Sequence, residues 1–228
     1  MNPVTLITGA SRGLGLETAR ILARRGTPLI LVARGESALR RVQHELSKWT
    51  EVLAIPADVS QDAERVAALA RQFGQVDVLI NNASILGPTP MPALADYPWF
   101  ELEKVLRVNV LAPLHLTQLL LPRLTVNLTS DAGVEAYPGW GGYGMSKAAL
   151  EHQTRTLAAE LGDRGHRFLL VDPSDMNTEM HRQAEPGADL SHLPGPELLA
   201  PSLVELLDRN DSAPFRRVRL EVSHVGAL

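Results

Sequence analysis

Short apolar runs alternate with amphipathic stretches along almost the whole chain. That alternation limits the folds open to it more than any other feature. Residues 4–8, 28–33, 52–56, 76–81, 125–129, 167–171 and 218–222 are runs of strand length. Between them, residues 14–25, 37–48, 62–73, 99–122, 145–161 and 197–207 carry apolar side chains at helical spacing. The run 28–33 is continuously apolar, as a strand buried on both faces requires. Strand–helix alternation predicts a mostly parallel, seven-stranded, doubly wound α/β sheet with right-handed crossovers and helices on both faces. A chain of 228 residues fits one such domain. Ligands in these sheets bind beyond the carboxyl ends of the strands, near the topological switch. Two local expectations go with this reading. Ser60 is placed to cap helix 62–73, and Pro113 to bend helix 99–122.

The turn after the first strand carries chemistry. Thr8-Gly9-Ala10-Ser11-Arg12-Gly13-Leu14-Gly15 reads G-x-x-x-G-x-G. Glycines there permit a tight turn and close backbone approach, and the following helix directs its amides and dipole at a phosphate. Mere punctuation is the bland alternative. Its position between a first strand and a first helix favours dinucleotide binding, with Gly9, Ser11, Arg12, Gly13, Leu14 and Gly15 as cofactor residues. An NAD site needs an acid at the end of the second strand to hold the ribose 2′-hydroxyl. This chain has Ala33-Arg34 there. Arg34 and Arg12 together suit a 2′-phosphate, so NADP(H) is the expected cofactor.

A second constellation follows the glycine-rich stretch 138–142. Tyr143 and Lys147 stand four residues apart at the start of a helix, and so share one face. A fixed cation beside a phenol favours the phenolate and lowers its pKa, which suits a general acid–base. Alone, the pair reads as a solvated surface pair. Beside the N-terminal turn it reads as a catalytic one.

These motifs, in this order, resemble the short-chain dehydrogenase/reductase family, of the NADP-dependent type, over nearly the whole length. Asp58-Val59 resembles the pair that contacts adenine. Asn81-Asn82-Ala83-Ser84 resembles the family's Asn-Asn-Ala-Gly strand end. Asn109 and Ser130 match its catalytic asparagine and serine, and Tyr143 and Lys147 its signature pair. Pro173 and Thr178 resemble the stretch flanking the nicotinamide. Ser84 and Ser174 depart from glycines, and the tail after Val222 lacks the frequent Gly-Gly ending. The resemblance implies a Rossmann-like domain spanning 1–228. Its cofactor half is about 1–108 and its catalytic half about 109–228, with a mobile lid at about 176–196. It implies hydride transfer between NADP(H) and a small carbonyl or alcohol. Tyr143 would act as proton donor, Ser130 as hydrogen-bond donor to the reacting oxygen, and Lys147 as tuner of Tyr143 and holder of the ribose. Asn109 would anchor a water relaying protons to Lys147. A homodimer or homotetramer is expected. A non-catalytic NADP sensor, or an epimerase or dehydratase on the same site, stays open as an alternative.

Composition excludes other classes. A net charge of −4 gives no footprint for nucleic acid. The absence of cysteine rules out thiol chemistry and fits a reducing, cytoplasmic setting. No apolar run is long enough to span a membrane, and the N-terminus does not read as a signal peptide. No histidine spacing suggests a metal site. His181 and His192 read as isolated surface residues, and His115 and His152 as helix-surface or interface residues. Trp99, Tyr137 and Trp140 are candidate pocket residues, Trp140 foremost.

One junction conflicts with the fold. Helix 99–122 runs into strand 125–129 with no Gly, Asn or Asp to end the helix, and with less chain than such a reversal commonly uses. Residues missing between about Arg123 and Thr125 are one expectation. The alternative is that the helix stops near Leu120.

Overall fold

The computed structural model describes residues 3–209 and 213–222. Seven strands are present: β1 (Thr5–Thr8), β2 (Leu29–Ala33), β3 (Val52–Pro56), β4 (Val78–Asn81), β5 (Leu124–Leu128), β6 (Arg167–Asp172) and β7 (Phe215–Arg219). They form one sheet in the order β3-β2-β1-β4-β5-β6-β7, and every neighbouring pair is parallel. The order reverses between β1 and β4, so the crevice of a doubly wound sheet opens there. The last strand lies a few residues earlier than the apolar run 218–222 suggests. Pairing with β6 fixes it, Phe215 opposite Phe168 and Arg219 opposite Asp172. The tail beyond Val222 lies outside the described residues.

The helices are α1 (Gly13–Arg24), α2 (Glu36–Leu46), α3 (Ala63–Phe73), α4 (Trp99–Leu106), α5 (Ala112–Leu120), α6 (Gly141–Leu161), α7 (Glu179–Ala184) and α8 (Pro196–Asp208). Alternate strand residues point to opposite faces, and both faces are covered. Ile7, Leu31 and Val126 pack with Leu22 of α1, Leu39 of α2 and Leu203 of α8. Leu6, Ile30 and Leu79 pack with Val66 of α3 and Leu116 of α5 on the other side. Burying a large aliphatic side chain contributes roughly 1.5–3 kcal/mol, so these two layers are the main favourable term of the fold.

Two local expectations are corrected. Ser60 does not cap α3. Its hydroxyl donates to Asp58 Oδ1, while the carboxylate of Asp62, the residue before the helix, accepts from the Asp58 amide. The stretch 99–122 is not one helix bent at Pro113. It is α4 and α5 joined by a π-helical turn, Arg107–Leu111. Pro113 has no amide hydrogen to return to the Asn109 carbonyl, so an α-helical register cannot run through that point. The stretch 176–196, expected to be a lid, contains α7, capped by Thr178, whose hydroxyl accepts from the His181 amide at 3.3 Å.

The junction before β5 needs no additional residues. α5 ends at Leu120, and Leu121 turns the chain with φ 42° and ψ 57°. Its amide donates to the Thr117 carbonyl at 2.8 Å. Pro122 and Arg123 then lead into β5, whose Leu124 amide donates to the Asp77 carbonyl. With no glycine available, a leucine takes the left-handed conformation, at a cost of about 1–2 kcal/mol. Leu121 is 42% exposed, so little burial would be lost by trimming it. Leu121→Gly is therefore expected to be neutral or to raise the melting temperature by roughly 2–4 °C. A fall of several degrees, as an ordinary Leu→Gly change gives, would contradict the strain.

Candidate active site

A cleft of about 1110 Å³ lies at the carboxyl ends of the strands, across the β1/β4 reversal. One wall is the turn from β1 into α1. A Cβ on Gly9 would stand 2.7 Å from Asn82 Nδ2, and one on Gly15 would stand 2.6 Å from the same atom. Those glycines let the end of β4 pack against the turn, and the Asn82 amide seals the contact by donating to the Thr8 carbonyl at 2.9 Å. α1 opens with no side-chain cap and no acid in its first turn, which leaves its positive end facing the cleft. Gly9, Ser11, Arg12, Gly13 and Leu14 line this wall. Gly15 does not. It acts from behind, as the residue that admits Asn82. Arg12 and Arg34 are exposed, line the cleft, and have no ion-pair partner among the described residues. Asp58, Val59, Asn82 and Ala83 also line it. A backbone cradle at a helix N-terminus with two free guanidinium groups beside it fits a phosphorylated dinucleotide.

The other wall is built by α6. Its approach to the turn after β5 is close: a Cβ on Gly144 would lie 2.5 Å from the Ala132 carbonyl oxygen. Buried side chains fix its height on the sheet. Asn81 Nδ2 donates to Asn127 Oδ1, Asn127 Nδ2 to Thr154 Oγ1, and Thr154 Oγ1 to the Leu150 carbonyl, at 2.8, 2.8 and 2.6 Å. Tyr143 and Lys147 are thereby held inside the wall. Lys147 is 2% exposed, and its Nζ donates to the Leu128 carbonyl at 2.8 Å and stands 5.3 Å from the Tyr143 ring centroid. Ser130 Oγ donates to Asp131 Oδ1 at 2.9 Å, and the hydroxyls of Ser130 and Ser84 both stand beside the Tyr143 hydroxyl.

Asn109 is not part of the cleft lining. The π-helical turn buries it, and its side chain is fully engaged. Oδ1 accepts from the Ile85 amide, and Nδ2 donates to the Ile85 carbonyl and to Ser146 Oγ, all within 2.9–3.0 Å. Pro173 and Thr178 do line the cleft. Ser174, which departs from the family's glycine, takes a left-handed φ of 60°, steadied by donation from its amide to Asp172 Oδ1 and from its hydroxyl to the Leu220 carbonyl. Trp140 packs edge-on against Tyr143 with centroids 5.9 Å apart, and Tyr137 lines the rim. Trp99 is 73% exposed and lies outside the cleft. His181, read as a surface residue, lines the cleft from α7. His115 stands on the surface 3.4 Å from Glu64, and His152 and His192 are exposed. Sequence reasoning missed Asp131, Asp172 and Met180 as cleft residues. Only their adjacency to Ser130, Pro173 and Thr178 hinted at them.

Residues 3–189 match the family model described as short chain dehydrogenase. The chain belongs to the short-chain dehydrogenase family. It is 32% identical over 219 residues to the uncharacterized oxidoreductase YciK of Escherichia coli, covering 90% of this chain and 85% of that one. It is 29% identical over 219 residues to a benzil reductase ((S)-benzoin forming) of Saccharomyces cerevisiae, covering 90% and 81%. Among solved structures it is similar to an alcohol dehydrogenase from the archaeon Thermococcus sibiricus complexed with 5-hydroxy-NADP. That match has a TM-score of 0.85 and 28% identity, and covers 100% of both chains.

In this short-chain dehydrogenase the protein alone does not lower the phenol's pKa. Burial pushes Tyr143 up, and the nearby Asp172 and Asp131 push the same way, against the opposing influence of the neighbouring Ser84 and Ser130 hydroxyls. Burial also pushes Lys147 down, to about 7. The expected lowering of Tyr143 by Lys147 is outweighed because burial strips water from both groups. Between about pH 7 and 10 the unfolded chain keeps a proton on Lys147 that the folded chain has released. Stability therefore rises with pH across that window. Above it, Tyr143 ionises only in the unfolded chain and the trend reverses. Lys147→Met is expected to remove the rise, an effect on the order of a few kcal/mol. Denaturation midpoints of both proteins at several pH values in that window check this, and parallel curves would contradict it.

Proposed function

We propose that this oxidoreductase interconverts carbonyl compounds and alcohols with NADP(H), with Tyr143 as the general acid–base. The observation that carries the reading is the convergence of Tyr143, Ser130 and Lys147 on one buried wall, opposite a phosphate cradle in the same cleft. When bound, the cofactor supplies or takes the hydride. Arg12 and Arg34 would hold its 2′-phosphate, and the backbone of Gly9 to Gly15 its pyrophosphate. Asp58, Val59, Asn82 and Ala83 would line the adenosine side, and Pro173 and Thr178 the nicotinamide side. The 5-hydroxy-NADP of the Thermococcus sibiricus relative supports the choice of NADP.

In the direction of reduction, Tyr143 gives its phenolic proton to the carbonyl oxygen. Ser130 turns its hydroxyl from Asp131 to that oxygen and stabilises the charge developing there. Lys147, poised near neutrality, stabilises the phenolate left behind and would reach the nicotinamide ribose. Asn109 is a positioning residue on this reading, because its amide has no donor to spare. Leu86, Met91, Trp140, Met180 and Ala184 form an apolar cluster with Tyr143. That surface suits a carbonyl substrate with an apolar body, in line with the benzil reductase relative. α7 and its flanks serve as the lid.

We read the whole chain as one catalytic domain of a cytoplasmic enzyme. Trp99 and Phe100, exposed on α4, support assembly as a homodimer or homotetramer. No helix among the described residues is long and apolar enough to cross a membrane.

Tyr143→Phe keeps the ring and removes the proton. NADPH binding is expected to persist while reduction across a panel of aromatic and aliphatic carbonyls falls by about two to four orders of magnitude. Turnover within a fewfold of the unaltered protein would remove Tyr143 from its role. No NADPH consumption by the unaltered protein with any carbonyl would overturn the reaction class.

A further inference from the structure

Ser84 stands where the short-chain dehydrogenase pattern has glycine, and its hydroxyl is unusual. Ser84 Oγ is buried and makes no hydrogen bond of ordinary geometry with any described residue. Ser84 nevertheless lines the cleft, and its hydroxyl lies close enough to the Tyr143 hydroxyl to act on it. A buried hydroxyl without a partner is costly unless something claims it.

The chain is clamped on both sides of this residue. The amides of Asn82 and Ala83 each donate to Thr8 Oγ1 at 3.0 Å. The Ile85 amide and carbonyl are both held by the Asn109 side chain at 2.9 Å. Ser84 is thus held at a fixed distance from α6, because Asn109 also bonds to Ser146 on that helix. The other hydroxyl beside Tyr143 is less available. The single hydrogen of Ser130 already goes to Asp131, and its oxygen accepts from the Ala132 amide at 3.2 Å.

We propose that Ser84 is a further catalytic residue, whose hydroxyl donates a hydrogen bond to the Tyr143 oxygen as the phenolic proton leaves it. The step rests on the proposed function. In reduction the hydride joins the carbonyl carbon, the Tyr143 O–H bond breaks, and its proton joins the carbonyl oxygen. The electron pair of that bond stays on the Tyr143 oxygen, where Ser84 and Lys147 receive the charge. Ser130 is then free to serve the substrate oxygen, and Ser84 serves the phenolate. Burial makes Tyr143 a poor acid, and a preorganised donor opposes that effect without reorganising during the reaction. Glycine at this position would leave the phenolate with one donor fewer.

The charged groups that act on Tyr143 are Lys147 on α6, Asp131 after β5 and Asp172 on β6, and the α7 side and β7 add Asp175, Glu179, His181, Arg182, Glu185 and Arg219 to the same cleft. None of them is altered by substituting Ser84, so a shift that follows the substitution belongs to the hydroxyl.

The test reads Tyr143 directly. The full-length chain is made with 3,5-difluorotyrosine at Tyr97, Tyr137 and Tyr143, which makes the phenols more acidic. The ¹⁹F resonance of position 143 is assigned by its loss in Tyr143→Phe and followed against pH. Ser84→Ala is expected to raise its midpoint by on the order of one pH unit, the size expected for one hydrogen bond to a charged group. Ser84→Thr, which keeps the hydroxyl, is expected to leave it near the unaltered value. In unlabelled enzyme the high-pH limb of the kcat profile for reduction should move up by the same amount in Ser84→Ala. At neutral pH, kcat should fall about tenfold with KM unchanged. An unmoved midpoint in Ser84→Ala would overturn the proposal, as would an equal shift in Ser84→Thr. The resonance is read without turnover, so it decides whether Ser84 donates to Tyr143 even if the carbonyl panel shows the reaction class to be wrong.

Discussion

Lys147 is buried with a backbone carbonyl, not a carboxylate, as its partner, and much of the molecule is arranged to make that tolerable. An ammonium in such a place loses most of its hydration, and its pKa falls toward neutrality. The compensation is structural. α6 sits so close to the turn after β5 that only glycine fits at Gly144, and Nζ then reaches the Leu128 carbonyl. The Asn81–Asn127–Thr154 chain sets how far α6 stands above β4 and β5. Asn109 ties the same helix to the strand end that carries Ser84. These buried bonds tie α6 to the ends of β4 and β5 at several points, which favours one arrangement over others, although Asn81 Oδ1 has no hydrogen-bond partner among the described residues.

Across the cleft the logic is reversed. There the positive groups are exposed and unpaired. Arg12 and Arg34 have no acid among the described residues, and the start of α1 has neither cap nor acid. Such a surface carries an unmet demand for negative charge. A dinucleotide with an extra phosphate meets it at one end and brings its reactive ring toward Lys147 and Tyr143 at the other. The proposed chemistry thus follows from two electrostatic situations in one crevice. One is desolvated and proton-sensitive, and the other is hydrated and anion-seeking.

The layered fold was legible because hydrophobic period and strand length are local properties. So were the glycine turn and the Tyr143–Lys147 spacing, since both act over a few residues. What the chain concealed depends on contacts far apart in sequence. Asn109 could be matched to a motif, but that its amide would be consumed by Ile85 and Ser146 depends on a π-helical turn. The sign of the Tyr143 shift depends on burial, which spacing alone does not report. Ser60 had the composition of a cap, yet Asp58 claimed its hydroxyl. His181 read as a surface residue because its place in the cleft depends on how α7 folds over the sheet. Leu121 was the least legible of all, since leucine rarely adopts the conformation its position requires.

The central claim is that this crevice takes NADP(H) through Arg12 and Arg34, and equilibrium binding tests it most directly. Dissociation constants for NADPH and NADH, measured by cofactor fluorescence at several salt concentrations, should favour NADPH by at least about tenfold at low salt. The margin should shrink as salt rises, because the pairing is exposed and screened. Changing Ala33 to Asp together with Arg34 to Gln should reverse the preference. Equal affinity for the two cofactors in the unaltered protein, at every salt concentration, would contradict the account.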